Sequence, residues 1–293
     1  MIIMHLKELH SVPDHISPLR LQEYGVGIFQ RISTKSALKK AIKRALVLVD
    51  GVVATTATII NGGEKIVYLY PSENKIKTRL ILSLDVVYED TFLAVINKPA
   101  GILVSGNGFK TVANALPQNL NKSSANDAVT PQPVHRLDYA TTGLLLVGKT
   151  KSVITKLNQL FEYKKITKEY YAVTIGKMEN NGTIEIEIDN KPAKSSFEVL
   201  ETVVSERFSF LNLVKLSPHT GRRHQLRKHL LAKGNPILGD ATYFLDGLQL
   251  KGKGLYLHAR SLHFQHPITE EEMHIKSDLP KKFTKLFTRN NKF

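Results

Sequence analysis

EYYAVTIGKMENNGTIEIEIDNKPAKSSFEVLETVVSERFSFLNLVKLS, residues 169–217, decides the fold class. Within it, EYYAVTIG (169–176), GTIEIEID (182–189) and FSFLNLVKLS (208–217) alternate apolar and polar residues, the two-residue period of half-buried strands. No regular helix pattern separates them, which argues against a repeated βαβ fold and for antiparallel pairing. Outward from this stretch, GLLLVGKT (143–150) reads as a buried strand. DVVYEDTFLAVINKPAG (85–101) reads as two strands around a turn at Glu89-Asp90. SVITKLNQLFEY (152–163) puts Val153, Leu157, Leu160 and Phe161 on one helical face, and HQLRKHLLAKG (224–234) is a helix closed by Gly234. NKSSANDAV (121–129) is expected to be a mobile loop. The expected class is α+β, with a mixed, largely antiparallel sheet.

The first part of the chain reads as a separate module. Leu38, Ala41, Ile42 and Ala45 recur at helical spacing behind a candidate N-cap at Ser36, with Lys39, Lys40, Lys43 and Arg44 on the opposite face. VLVDGVVAT follows, with Asp50-Gly51 as a hairpin signal, and INGGEKIVYLY turns at Gly62-Gly63 into a further strand. A cationic helix backed by a small sheet suits contact with phosphates, although Lys39–Arg44 taken alone is equally an ordinary solvated face. The stretch PSENKIKTRLIL (71–82) lacks periodicity. The expected division is a module over 1–75, a linker over 76–83 and a larger domain over 84–293.

Composition narrows the function. Lys plus Arg number 41 against 26 Asp plus Glu, a formal net charge of +15. Such an excess favours a polyanionic partner, nucleic acid first and an anionic membrane surface second. With no Cys, disulfides, Cys-ligated zinc and thiol catalysis are excluded. MIIMHLKELHSVPDHISP carries charges early and does not read as a signal peptide, and no apolar run approaches a membrane span. A soluble, cytoplasmic protein without a membrane partner is expected.

Three segments carry candidate chemistry. In PVHRLDYATTGLLLV (133–147), Asp138 stands just before a Thr-Thr-Gly turn into an apolar strand; alone, an Asp beside Arg136 is more often an ion pair or a turn cap. In TKEYYAVTIG (167–176), Tyr170 and Tyr171 point to opposite faces of a strand, and a strand Tyr is usually core. In PHTGRRHQLRKHLLAKGNPILGD (218–240), Arg223 and Arg227 are four apart on one helix face. His224 and His229 are five apart, a poor spacing for a shared metal, so a zinc site is rejected.

Together these segments resemble the RluA-type pseudouridine synthase family. HRLD with its TTG turn, KEYYA, TGRRHQLRKHL with NPILGD, and LHARSLHFQHP stand in the family's order, and VVYEDTFLAVINKPAGILV resembles its opening strands. The likeness spans roughly residues 84–268. STKSALKKAIKRALVLVDGVVA with NGGEKI resembles an S-four-like RNA-binding module, while EYGVGIFQRI departs from that module's usual opening. The resemblance implies a sheet of the pseudouridine synthase type. It implies Asp138 as nucleophile, Tyr170 as the ring beside the uracil and Arg227 as the partner of the aspartate. RNA contacts would come from Arg136, which fills the gap left by an extruded base, and from His135, Arg223, Lys39, Lys40, Lys43 and Arg44. Arg223 stands where the family has a small polar residue, and the stretch before KSSFEVL is short.

The implied reaction isomerises a uridine of ribosomal large-subunit or transfer RNA. It is redox-neutral and needs no energy input, so no cofactor and no metal are expected, and the chain is expected to act as a monomer. The competing readings are a catalytically inactive RNA-binding assembly factor of the same fold, which the presence of all three site residues opposes, and a hydrolase, for which no second carboxylate or nucleophile elbow is placed.

Overall fold

A computed structural model describes residues 7–70 and 80–287. The chain divides into two compact units, Met1–Thr78 and Arg79–Phe293.

In the first unit, β1 (Lys7–Ser11), β2 (Leu19–Arg20) and the single turn α1 (Leu21–Tyr24) precede α2 (Lys35–Lys43). Then come β3 (Val47–Val49), β4 (Val52–Val53), β5 (Ile59–Ile60) and β6 (Lys65–Leu69). The sheet runs β1-β6-β3-β4, and β2 pairs with β5. Leu38, Ala41 and Ile42 of α2 are buried with Phe29, Val47 and Ile66. Asp50 and Gly51, at φ +49 and +82, close the β3–β4 hairpin as expected of a turn that needs two positive φ values.

Two local expectations are corrected. The N-cap is Thr34, whose Oγ1 accepts the Ala37 amide at 3.2 Å; Ser36 lies inside the first turn. Ala45 is exposed at φ +56, beyond the helix, because the chain closes α2 with Leu46 N–H to Ala41 O and Ala45 N–H to Ile42 O.

The second unit begins with β7 (Asp85–Glu89) and β8 (Leu93–Lys98), which form the expected hairpin, its turn held by Asp90 Oδ1 accepting the Phe92 and Leu93 amides. There follow α3 (Val112–Asn119), β9 (Ala128–Pro133), β10 (Thr142–Thr150), α4 (Lys151–Glu162) and β11 (Thr167–Ile175). The chain continues through β12 (Asn181–Glu185), β13 (Lys194–Ser205), β14 (Ser209–Pro218) and α5 (Gln225–Ala232), then β15 (Leu257–Gln265), β16 (Glu272–Lys276) and α6 (Lys281–Phe287). The α+β class is as expected. The strand order is β12-β13-β14-β11-β15-β10-β8-β7, with β16 on β15 and β9 on β10. Three apolar clusters cover it. One is built on α5 and α6, one on α3, and one on α4, whose Val153 and Leu157 are buried as the period predicts.

Three differences have physical reasons. β13 was not expected, since in VLETV apolar residues follow one another where the strand carries a register shift between Val199 and Glu201. The segment 121–129 is tethered: the Asn121 amide donates to Glu89 Oε1 at 2.8 Å, and Asp127 Oδ2 accepts the Ser152 amide. Of the expected linker, 76–79 lies outside the described residues, whereas Leu80 and Leu82 pack on the α3 cluster, with Leu82 O accepting from Asn119 at 2.8 Å.

β10 and β15 pair in parallel, through Thr142↔His258 and Gly143↔Ala259; every other strand pairing of this sheet among the described residues is antiparallel. Gly143 sits there at φ +110, and a Cβ on it would lie 2.3 Å from Ala259 O. We expect Gly143→Ala to lower the unfolding free energy by about 2–3 kcal/mol and the urea midpoint with it. An unchanged midpoint would remove this residue's structural importance.

Candidate active site

The parallel junction delivers Asp138 to a cavity. Asp138 opens the turn into β10, with its carbonyl accepting the Thr141 amide at 3.1 Å. The turn is clamped from beneath by Lys98, whose buried Nζ donates to the carbonyls of Pro99 at 2.9 Å, Thr141 at 2.8 Å and Tyr139 at 3.3 Å. Burial pushes this ammonium down to about 8, with the Asp138 charge opposing. The carboxylate of Asp138 faces a cavity of about 530 Å³ whose walls include Arg136, Arg223, His224, Arg227 and Asp240.

Arg227 holds the centre of this wall. Its Nη1 donates to Asp138 Oδ2 at 3.3 Å, while Nε and Nη2 grip Asp240 at 2.7 and 2.8 Å. Asp240 is fully enclosed, and its Oδ1 also accepts the amides of Thr242 at 2.9 Å and Tyr243 at 3.0 Å. Burial works to raise the Asp240 carboxyl, but these hydrogen bonds, Arg227 first, outweigh it and hold the group below the usual carboxylate range. Burial likewise works against the Arg227 cation, and Asp240 followed by Asp138 raises it on balance. A guanidinium that is 7% exposed and forked onto an enclosed carboxylate is fixed in place.

The other expected site residues divide. Arg136 and Arg223 are exposed on the cavity wall; Arg223 precedes α5 and does not share a helix face with Arg227. Tyr170 is half-buried between the α3 and α5 clusters and is not among the cavity-lining residues. Burial pushes its phenol up, with the Asp138 charge adding to the effect, so it remains a neutral ring. Tyr171 packs on the α5 cluster alone. His135 is corrected: its Nε2 accepts the Leu146 amide at 2.9 Å and its ring lies 4.9 Å from that of Phe161, on the α4 side. Desolvation, then Lys168, depresses this imidazole to about 3, so it offers no positive charge to a phosphate. In the first unit, Lys40, Lys43 and Arg44 are exposed and Lys39 is half-buried.

Residues 92–232 match the model of a family described as RNA pseudouridylate synthase. Ribosomal large subunit pseudouridine synthase D of Vibrio vulnificus is 32% identical over 92% of this chain and 90% of its own length. The chain belongs to the RNA pseudouridylate synthase family. Dual-specificity RNA pseudouridine synthase RluA of Haemophilus influenzae is 36% identical over 67% of the chain and 94% of its own length. The human RNA pseudouridylate synthase domain containing 4 is 27% identical with a TM-score of 0.56, covering 68% of this chain and 90% of that one. The enzyme is thus an isomerase that acts on RNA.

For this pseudouridine synthase the sequence reading missed Asp240 and Lys98, although NPILGD and NKPAG had both been singled out. The available signal for Asp240 was electrostatic: an arginine that is buried needs a carboxylate partner close by. We expect Asp240→Asn to reduce stability by about 3 kcal/mol at pH 7. A carboxyl held low in the folded state contributes its stability above its unfolded value near 3.8 and loses it as pH falls through the folded value. The gap between wild type and variant should therefore shrink below about pH 4, and urea titrations at pH 7 and pH 3 measure it. Equal stability at pH 7 would show that Arg227 does not need this partner.

Proposed function

We propose that Asp138 is the nucleophile of a uridine-to-pseudouridine isomerisation in ribosomal large-subunit RNA. The observation that carries the assignment is the Asp138 carboxylate standing in the cavity with one oxygen on Arg227. The reaction breaks the bond from ribose C1′ to uracil N1, turns the ring and rebuilds the bond at C5. Asp138 bonds covalently to the sugar or to the ring while the base turns. Arg227, anchored on Asp240, donates to one oxygen of the carboxylate and holds it in place before the attack and after release. Tyr170, whose phenol feels the Asp138 charge, is the ring against which the base is oriented. Duplex stacking denies access to a base, so the uridine is extruded, and exposed Arg136 is the side chain suited to the vacated space.

The choice of RNA rests on the reach of the likeness. An alignment over 92% of the chain must run into the unit Met1–Thr78, and that relative is named for the large ribosomal subunit. We read this unit as the S-four-like RNA-binding module, with Lys39, Lys40, Lys43 and Arg44 against phosphates and Arg223 at the cavity rim. The proposed setting is the cytoplasm, with the chain acting as a monomer. Among the described residues no helix is long and apolar enough to cross a membrane.

Two experiments test these assignments. Asp138→Asn keeps the shape and removes the charge. It should abolish pseudouridine formation, leaving RNA affinity near normal, and turnover within about tenfold of wild type would refute the nucleophile. Replacing Lys39, Lys40, Lys43 and Arg44 by Gln should weaken RNA binding and flatten the dependence of log K on log[salt] by about 2–4 units of slope. A slope that does not move means that this helix meets no phosphate.

A further inference from the structure

Tyr139 follows the proposed nucleophile directly in the chain, and its side chain stands on the cavity wall with 58% of its surface exposed. A single exposed aromatic is ordinary on a protein surface. Three features of this one are not. Its mount is rigid: the Tyr139 carbonyl accepts the Gly101 amide at 2.8 Å and Lys98 Nζ at 3.3 Å. The side chain reaches back over the NKPAG turn, where a Cβ on Gly101 would stand 3.9 Å from Tyr139 Oη.

The ring is also unused by the protein. Among the described residues its hydroxyl makes no hydrogen bond, and it packs on no other aromatic ring or cation. Tyr243, near the same cavity, is employed by contrast: its Oη lies 3.0 Å from His224 Nδ1, and its ring centre 4.8 Å from the Arg227 guanidinium carbon. Finally, the surroundings of Tyr139 are apolar and cationic. Leu103, 46% exposed, lines the same cavity, with its backbone fixed by its carbonyl accepting the Val112 amide at 2.9 Å. Arg136 and Arg223 are exposed on that wall.

We propose that Tyr139 is a stacking platform for the RNA base next to the uridine that enters the cavity. When a uridine is extruded, each neighbouring base loses a stacking partner. Arg136, two residues before Asp138, is suited to the vacated space, and Tyr139, one residue after it, offers a flat ring to an adjacent base. A ring held by its own backbone gives up little freedom when a base settles on it. The exposed arginines beside it can meet the phosphates of the same nucleotides. An aromatic face flanked by cations is the composition with which proteins hold unpaired nucleotides, because every base has a π-face. Tyr139 therefore selects for structure more than for sequence: it accepts a base that is unpaired beside the target, as in a loop or a bulge, and gains nothing from one that remains stacked in a duplex.

The proposal rests on the cavity being the seat of an extruded uridine, and the test separates the two. The chain contains no Trp, so Tyr139→Trp places a single fluorophore on the platform. Tyr163→Trp, at the 68% exposed residue that closes α4, is the control. Deproteinised large-subunit RNA from cells lacking the gene is the probe, and filter retention reports its binding. Emission of Tyr139→Trp should fall by about twofold or more at saturation, and that of the control by clearly less, because a base must lie against an indole to quench it. Quenching needs no chemistry, so it reads the platform in an Asp138→Asn background as well, whereas pseudouridine formation by that variant reads the nucleophile.

In single turnover on the same RNA, Tyr139→Ala should raise the half-saturating enzyme concentration by about 5- to 150-fold, with a maximal rate within about threefold of wild type. Tyr139→Phe keeps the ring and should bring the half-saturating concentration back to within about twofold of wild type. RNA that fails to bind, or that binds without quenching Tyr139→Trp beyond the control, overturns the proposal. So does a Tyr139→Ala enzyme with an unchanged half-saturating concentration. A loss that falls on the maximal rate alone, or that Tyr139→Phe does not restore, overturns it too, since that is the behaviour of a disturbed Asp138 turn and not of a missing stack.

Discussion

The site depends on one buried ion pair, Arg227 with Asp240. Desolvating two charges is expensive, and their attraction offsets it only where geometry is good and the remaining hydrogen-bonding capacity is filled. Here the fork is bidentate at 2.7 and 2.8 Å, and two backbone amides take up further lone pairs on Asp240. The pair is therefore stable without Asp138. Asp138 receives only the third bond of the guanidinium, at 3.3 Å. As the proposed nucleophile, Asp138 must be able to leave its partner, and a partner anchored elsewhere does not collapse or follow when it does.

Around that pair the fold brings together two parts of the sheet. β7 to β10, with α3 and α4, supply Lys98 and the turn bearing Asp138; β11 to β14 and α5 supply Tyr170 and Arg227. The parts meet where β10 and β15 run in parallel, at a backbone approach that admits no side chain on Gly143. A second close approach lies beside Asp240: a Cβ on Gly239 would stand 2.0 Å from Gly254 O. The strand after Asp138 and the residue before Asp240 are thus set against backbone that has little freedom to shift, around a carboxylate and a guanidinium 89 residues apart in sequence that lie within hydrogen-bond reach.

This explains what could be read in advance. Strand alternation and helix periodicity are local, so the α+β class, the β7–β8 hairpin, α4 and α5 with its Gly234 closure were legible. Asp138, Tyr170 and Arg227 came from a resemblance of segments, since nothing in their own neighbourhoods forces them together. His135 was misplaced because a histidine beside two functional residues was given their surroundings, whereas alternation along the chain turns it to Phe161 and the Leu146 amide. Asp240 was missed because its importance is relational: it is set by a buried guanidinium folded back over 13 residues of helix and turn. The Thr34 cap and the exposed Ala45 show the limit on a smaller scale, where helix ends are decided by which backbone groups remain to be satisfied.

Burial also sorts the cavity's arginines by task. Arg227 is enclosed and shared between two carboxylates, so little of its charge is available to the solvent, and it acts on the group it touches. Arg136 and Arg223 are exposed on the same wall and keep long, hydrated side chains free to meet phosphates. If the enclosed arginine lacked Asp240, Asp138 alone would have to balance it, and the proposed nucleophile would be tied most firmly to its partner when it needs to react. Placing a second carboxylate behind the guanidinium removes that conflict. The site can then be electropositive at its mouth and keep the Asp138 carboxylate, proposed as the nucleophile, at its floor.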